Sequence, residues 1–378
     1  MVQELSIVKY IKKFGLAKAI QDFKLKCRTY NSKIHLKYDQ IESDMSCPEV
    51  QECRGLILQR DTWEVISMGF KKFFNHGESY AAKIDWNSAV VLEKLDGSLC
   101  QVYFDHDKNN WFAATTGTGE GEGEVNNKMG TTFNELFWRT LKEKYDIDSS
   151  SFDEDHTYLF ELCTPFNIVV KPHGESSATL LGIRHIPTLK EVSYNDIIET
   201  GKWLGIPVVK AFDLNAKDFS ALIRTFEGMP WSEEGYVVVD GNFNRVKIKN
   251  PAYVAVHHLK SKTAEHNILT VVKANEIEEF AATFIERKDE VFSLKKKYDT
   301  LVSKLEDVWV ILSDNLPKNI TKEENKRYAA KVFEIVDKFD VKQFSGLYFS
   351  LKDKKVASVK DFIYEYDDKT LYKYLMGK

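Results

Sequence analysis

The sequence predicts an α+β N-terminal domain followed by an all-α C-terminal domain. Two observations carry this. Up to about Asn250, short apolar runs alternate with turn residues and are interrupted by separate helical stretches, the pattern of antiparallel sheets flanked by helices. Beyond about His258, apolar residues recur at three- and four-residue intervals, as on amphipathic helices. The expected division is 1–260 and 261–378.

Taken in order, MVQELSIVKYIKKFG reads as an amphipathic helix and lacks the apolar centre of a signal peptide. Strands are expected over Glu52–Gln59, Ser88–Ser98, Cys100–Asp105, Thr157–Cys163, Ala178–Ile186, Glu234–Asp240 and Arg245–Lys249. Each is rich in Val, Ile, Leu, Tyr or Phe and bounded by Gly, Asn, Asp or Pro. Thr131–Tyr145 and Ser193–Gly205 read as helices, and Asp146–His156 as a polar connection. Thr116–Asn127 (TGTGEGEGEVNN) is Gly-rich but acidic. It lacks the G-x-x-x-x-G-K-[ST] phosphate cradle, its glutamates repel phosphate, and a mobile loop is expected there. Asn275–Leu312 reads as one amphipathic helix, interrupted by Pro317. Thr321/Glu324 and Ser358/Asp361 have capping-box spacing before two more helices.

Composition bounds the function. The formal net charge of the 378 residues is −4, so any polyanion must be recruited by local basic clusters. Five cysteines, with no C-x-x-C pair and no secretory signal, fit a reduced intracellular protein, and a cytoplasmic setting is expected. No apolar run of about 18 residues is present, so no membrane span is expected.

Five clusters carry chemistry. Lys94 ends an apolar strand before Asp96-Gly97, where a rigid sheet aims a lysine into a pocket; a solvated lysine beside a D-G hairpin turn is the plainer alternative. Lys247 and Lys249 lie on one face of a strand, suited to a triphosphate or, more simply, to guarding an exposed edge. Glu234, before Gly235 and an apolar strand, suits magnesium, which favours few carboxylates plus substrate phosphates. Phe160-Glu161 places a carboxylate after a buried-looking strand, and Arg54 in Glu52-Cys53-Arg54-Gly55 suits a phosphate or ribose; each also has a reading as a turn or surface residue.

The order K-x-D-G, F-E, E-G-Y-V, K-x-K resembles the covalent nucleotidyltransferase superfamily of ATP- or NAD-dependent ligases and mRNA capping enzymes. Three details resemble its RNA ligase branch for tRNA repair in T-even bacteriophages: ECRG upstream of Lys94, KKFFN (Lys71–Asn75), and Tyr253 shortly after K-x-K. The likeness spans about Ile34 to Lys260 and is weaker in the tail. It implies an N-terminal nucleotidyltransferase domain and an ATP-dependent RNA ligase, with Mg2+. Lys94 would attack the α-phosphate to form lysyl-AMP, AMP would pass to a 5′-phosphate RNA end, and a 3′-hydroxyl would displace it. By similarity Glu161 contacts ribose, Glu234 binds metal, and Arg54 and Lys72 contact nucleotide phosphates or the RNA end, with Lys71 adjacent. Val237 covers one face of adenine, Tyr38 stacks on the other, and Tyr253 contacts nucleotide or substrate. Lys247 and Lys249 supply the positive field at the reacting phosphate. RNA ends, including nicked tRNA, are the expected partners of a monomer acting in host bacterial cytoplasm if phage-encoded.

One departure stands out. The phage relative carries a lysine in a short K-G segment where this chain has Ala113-Ala114-Thr115-Thr116-Gly117, so Thr116 or Lys128 is expected to fill that role. DNA ligases and capping enzymes follow K-x-K with an OB-fold, whereas helices follow here. A non-catalytic RNA-end-binding relative would have lost Lys94, Glu234 or the K-x-K pair. A metal-dependent hydrolase built on His173, His257 and His258 lacks a second ligand pair of suitable spacing.

Overall fold

A computed structural model of the protein describes residues 4–377 except 126–129, 168–170, 215–217, 255–266, 274, 276, 284–286, 315 and 317–320. The chain divides into two compact units, Met1–Lys260 and Ser261–Lys378.

The described residues of the first unit form three sheets. Strands β1 (Leu25–Thr29), β2 (Lys33–Tyr38), β3 (Arg54–Gln59) and β4 (Val65–Ser67) form an antiparallel sheet in that order. Strands β5 (Phe74–Asn75) and β6 (Val90–Glu93) belong to another. Between β6 and the rest of that sheet in the chain come β7 (Ser98–Asp105), β8 (Asn110–Thr115), β9 (His156–Cys163), β10 (Ser177–His185) and β11 (Lys190–Glu191), ordered β11-β10-β9-β7-β8. The sheet of β6 is completed by β12 (Ala211–Phe212), β13 (Gly235–Val239) and β14 (Arg245–Lys249), ordered β12-β6-β13-β14-β5. All pairings are antiparallel except the two-residue match of β14 with β5. The expected strands all form. The sequence reading passed over β1, β4, β5, β8, β11 and β12, and took β2 only as an alternating segment.

Local chemistry explains the helices. Thr132 and Glu135 form a reciprocal capping box that starts the helix Phe133–Tyr145, which buries Leu136, Phe137 and Leu141 against Val102 and Phe160 of the β7–β9 sheet. Ser193 caps Tyr194–Leu204, and Gly205, at φ 71°, ends it in the left-handed conformation. Near the N-terminus the buried Glu52 accepts the Ile7 N–H at 3.0 Å in the first turn of helix Ser6–Phe14 and pairs with Lys71 at 3.1 Å. The helix is thereby fastened to the segment leading into β3.

The described part of the acidic Gly-rich segment, up to Val125, is held by specific contacts. Lys33, fully buried, pairs with Asp105 and lies 3.1 Å from Glu120, with the Phe112, Tyr103 and Tyr30 rings within 6 Å. The Gly119 N–H donates to the Tyr30 hydroxyl and its carbonyl accepts from Tyr103, both at 2.7 Å. Tyr30 and Arg28 hold Glu122 at 2.6 and 3.2 Å. The glutamates expected to keep phosphate away instead turn to cations on β1 and β2. Lys128 lies outside the described residues.

The second unit is helical. Its core is assembled from the helices Asn267–Lys273, Ile277–Thr283, Lys288–Ser313, Lys322–Lys338, Ser345–Lys352, Val359–Glu365 and Asp368–Met376. Lys288–Ser313 buries Val291, Leu294, Tyr298, Leu301, Leu305, Val308 and Leu312, one stripe at three- and four-residue spacing. Within Asn275–Leu312, expected as a single helix, the described residues form the helices Ile277–Thr283 and Lys288–Ser313, and residues 284–286 between them lie outside the described residues. Thr321 and Ser358 cap the following helices as expected. Among the described residues no helix is long and apolar enough to cross a membrane.

Candidate active site

The site is assembled where β6, β13 and β14 end together. Register places Glu93 opposite Tyr236 and Gly235 opposite Lys249, and the Lys94 N–H donates to the Gly235 carbonyl at 3.0 Å. Gly235 has φ 131°, and a Cβ there would lie 2.1 Å from the Ile248 carbonyl oxygen, so only glycine lets the chain enter β13 this closely. The result is convergence: Lys94 Nζ is ion-paired with the buried Glu234, and Lys249 Nζ lies 3.9 Å from the same carboxylate.

The K-x-D-G turn is locked from beneath. The Gly97 N–H donates to Glu161 of β9 at 3.0 Å, and a Cβ on Gly97 would meet the Leu162 carbonyl oxygen at 2.6 Å. Asp96 accepts the Tyr253 hydroxyl at 2.9 Å and the Lys171 backbone N–H at 2.5 Å. Its carbonyl lies 2.7 Å from His173 Nε2, so that imidazole is tied to the turn.

Above the turn opens a cavity of about 510 Å3. Lys94, Lys247, Lys249, Arg54, Glu161 and Val237 all line it, as do Thr115 and Thr116. Lys247, Lys249 and Arg245 share one face of β14, with Val246 and Ile248 buried on the other. Arg54 comes from β3 of a different sheet. Its guanidinium lies 5.2 Å from the Phe73 ring centre, and its Nη1 is buried without a hydrogen-bond partner among the described residues, a donor suited to an anion.

The electrostatics follow from burial. Glu161 is pushed up to about 7, first by burial and further by Glu234, with Lys94, Arg54 and the Gly97 N–H pulling the other way. Burial also lowers Arg54 from its usual value. A carboxyl poised near neutrality beside Lys94 and Arg54 can accept or donate a hydrogen bond to a polar ligand.

The remaining expected residues sit elsewhere. Glu234 lies directly behind Lys94, in an adjoining cleft. Tyr38 is buried in the core against the first sheet, with Lys72 Nζ 5.6 Å from its ring centre, and neither lines the cavity. Tyr253 is buried with its hydroxyl on Asp96. His257 and His258 are outside the described residues. The sequence reading missed Phe70, Phe73 and Arg245, which line the cavity. Arg245 was findable by extending the Lys247–Lys249 alternation two residues back. It lies 4.3 Å from the Phe70 ring centre and pairs with Glu191 at 2.5 Å.

A family model described as RNA ligase matches residues 52–253. An RNA ligase of Rhodothermus phage RM378 is 26% identical over 374 aligned positions, covering 82% of this chain and 83% of the relative. RNA ligase 1 of bacteriophage TS2126 is 26% identical over 211 positions, covering 52% of this chain and 49% of the relative. Among solved structures, an archaeal ATP-dependent RNA ligase superposes with a TM-score of 0.47 at 14% identity, covering 94% of this chain and 84% of that one.

Proposed function

The chain belongs to the RNA ligase family, and from that premise we propose that it joins a 5′-phosphate to a 3′-hydroxyl RNA end through ATP and a Lys94–AMP intermediate. The observation that supports this most directly is the convergence of Lys94 and Lys249 on Glu234 beside a cavity that Lys94, Lys247, Lys249, Arg54 and Glu161 line.

Val237 offers an apolar surface to the base and Glu161 a hydrogen-bonding carboxyl to the ribose, which leaves the phosphates toward the lysines. Lys94 attacks the α-phosphorus as a free amine: the N–P bond forms, Nζ loses its proton, the bond to the pyrophosphate oxygen breaks, and pyrophosphate leaves. Lys247, Lys249 and Arg54 stabilise the charge that accumulates on the phosphate oxygens. A terminal 5′-phosphate of RNA then displaces Lys94, and a 3′-hydroxyl oxygen displaces AMP.

A divalent cation fits the same residues. Magnesium takes one or two carboxylates completed by substrate phosphates. Glu234 is one buried carboxylate facing the reacting amine, and the described residues contain no group of three or more His, Cys, Asp or Glu that forms a dedicated cage. Bound through Glu234, such an ion would neutralise phosphate charge at the reacting centre. Thr116, on the cavity wall, is proposed to fill the role of the lysine that the K-G segment of the resembled phage ligase carries. The helical unit is proposed to take part in choosing the RNA, and the full chain to act as a monomer.

The test is incubation with α-labelled ATP and magnesium, without RNA, followed by denaturing electrophoresis and peptide mapping. Label on Lys94 is expected. Folded protein that is not already adenylylated and takes no label would overturn the reading.

A further inference from the structure

A row of cations leads out of the cavity across the first sheet. Register sets Lys26 of β1 opposite Lys37 of β2, and Lys37 opposite Arg54 of β3. Residues paired across antiparallel strands share a face, so the three side chains stand side by side on strands about 4.8 Å apart. Gly55, at φ 82°, is the extra residue of a bulge between the Leu36–Leu56 and Lys37–Arg54 pairs, and it turns Arg54 onto the Lys37 face. The opposite face, with Leu36 and Leu56, belongs to the core shared with helix Ser6–Phe14. A Cβ on Gly55 would lie 3.4 Å from Thr116 Cα, so the cavity wall at Thr115–Thr116 abuts β3 beside Arg54. The row therefore starts inside the cavity and ends on β1, the edge of the sheet.

The charges along it are largely uncompensated. Arg54 keeps a buried Nη1 without a hydrogen-bond partner among the described residues. Lys37 is half-buried and has no ion-pair partner among the described residues. Lys26 is exposed and pairs with Asp39 at 2.7 Å, a carboxylate that also accepts the Ile41 and Glu42 N–H groups. Elsewhere on this face Arg28 is matched by Glu122, and His35, pushed down to about 4 first by burial, adds no charge at neutral pH. Three cations stand against one carboxylate. Lysines on an edge strand alone serve to discourage pairing with another chain. This row instead runs inward from the edge to a guanidinium in the cavity, where no strand can pair, and that continuity points to an extended anion.

Resting on the ligase reading above, we propose that Lys37 and Lys26 hold the phosphodiester backbone of the RNA, carrying the strand from its end in the cavity, at Arg54, outward over β2 and β1. Phosphate contacts carry no base information, so the row accepts single-stranded RNA of any sequence. It also answers how a chain of net charge −4 recruits a polyanion, by a local basic cluster joined to the reacting centre. Each lysine adds about 0.7 to the log–log salt slope, which between 50 mM and 1 M salt amounts to about eightfold in affinity.

The experiment measures binding of a fluorescent single-stranded RNA, with a 5′-phosphate and a blocked 3′ end, to the full chain over a series of salt concentrations. Lys37→Gln is expected to bind about eightfold more weakly at 50 mM salt and to lose about 0.7 from the slope. Adding Lys26→Gln should roughly double the loss of slope. Lys37→Arg keeps the charge and is expected to bind within about twofold of wild type. Labelling of Lys94 by ATP should stay near wild type in each variant, showing it folded, while AMP transfer by Lys37→Gln should need about eightfold more RNA. Wild-type affinity and slope in the double variant overturn the inference, as do equal losses in Lys37→Arg and Lys37→Gln. If Lys37→Gln loses labelling by disturbing Arg54, Lys26→Gln alone, two strands from Arg54, decides on affinity and slope. Failure of wild-type Lys94 to label, with the lysine variants still weakened in RNA binding, overturns the ligase reading instead.

Discussion

Replacing Glu161 by glutamine isolates what burial does to the floor of the cavity. The carboxyl sits in β9, accepts the Gly97 N–H at 3.0 Å, and is raised from 4.5 to about 7 chiefly by burial. The folded protein therefore holds a proton that the unfolded chain has released between about pH 4.5 and 7. Its contribution to stability is complete below 4.5 and is lost as pH rises through 7, up to about 3 kcal/mol in all. Glutamine is a neutral isostere that still accepts from Gly97, so Glu161→Gln should match wild type at pH 4.5 and be more stable than wild type at pH 8. Urea unfolding at both pH values reads the difference between the two proteins, and hydrogen exchange at the Gly97 amide reads it locally even if the two units unfold separately. If the two proteins show parallel stability profiles across that window, the carboxyl is not held protonated and the argument from burial fails. On the ligase reading, at pH 8, where the wild-type carboxyl is ionised, the variant should also need at least about tenfold more ATP to label Lys94, since a charged acceptor for ribose is lost.

Other substitutions test the remaining parts. Lys94→Ala should abolish self-adenylylation yet seal RNA that is already adenylylated to a partial extent, measured with a pre-adenylylated oligonucleotide; equal loss in both assays would point to misfolding. Gly235→Ala should cost about 3 kcal/mol or more and separate Glu234 from Lys94, because its Cβ would meet the Ile248 carbonyl oxygen at 2.1 Å; denaturation midpoints and ATP labelling report the two effects. Lys33→Met leaves Asp105 and Glu120 without their buried cation and should destabilise the protein by about 3–5 kcal/mol. Hydrogen exchange should rise first around Gly119, and unchanged protection there would contradict the pinning of that segment.

How much was legible in advance depended on whether a feature is local. Lys247 and Lys249 share a face because strand geometry alternates, and Thr321 and Ser358 cap helices because a hydroxyl three residues before a carboxylate satisfies free N–H groups; both are properties of a few adjacent residues. The order of the motifs likewise supplied the family, and with it the proposal of Lys94 as nucleophile. The structure brings six of the expected residues to one cavity but sets Tyr38, Lys72 and Tyr253 apart from its walls.

The sequence by itself determined the two-part architecture, the strand and helix types, and the set of charged residues available for chemistry, because hydrophobic period and turn chemistry are written along the chain. Only the tertiary structure decided which of those charges meet. Glu234 reaches Lys94 because Gly235 allows a backbone approach that no local pattern encodes. Glu161 titrates near neutrality because strands distant in sequence bury it beside Gly97. The acidic loop is pinned because Lys33, some ninety residues upstream, places one ammonium among three aromatic rings and two carboxylates. Burial and long-range juxtaposition set the strength of every electrostatic term in the site, and both are consequences of packing.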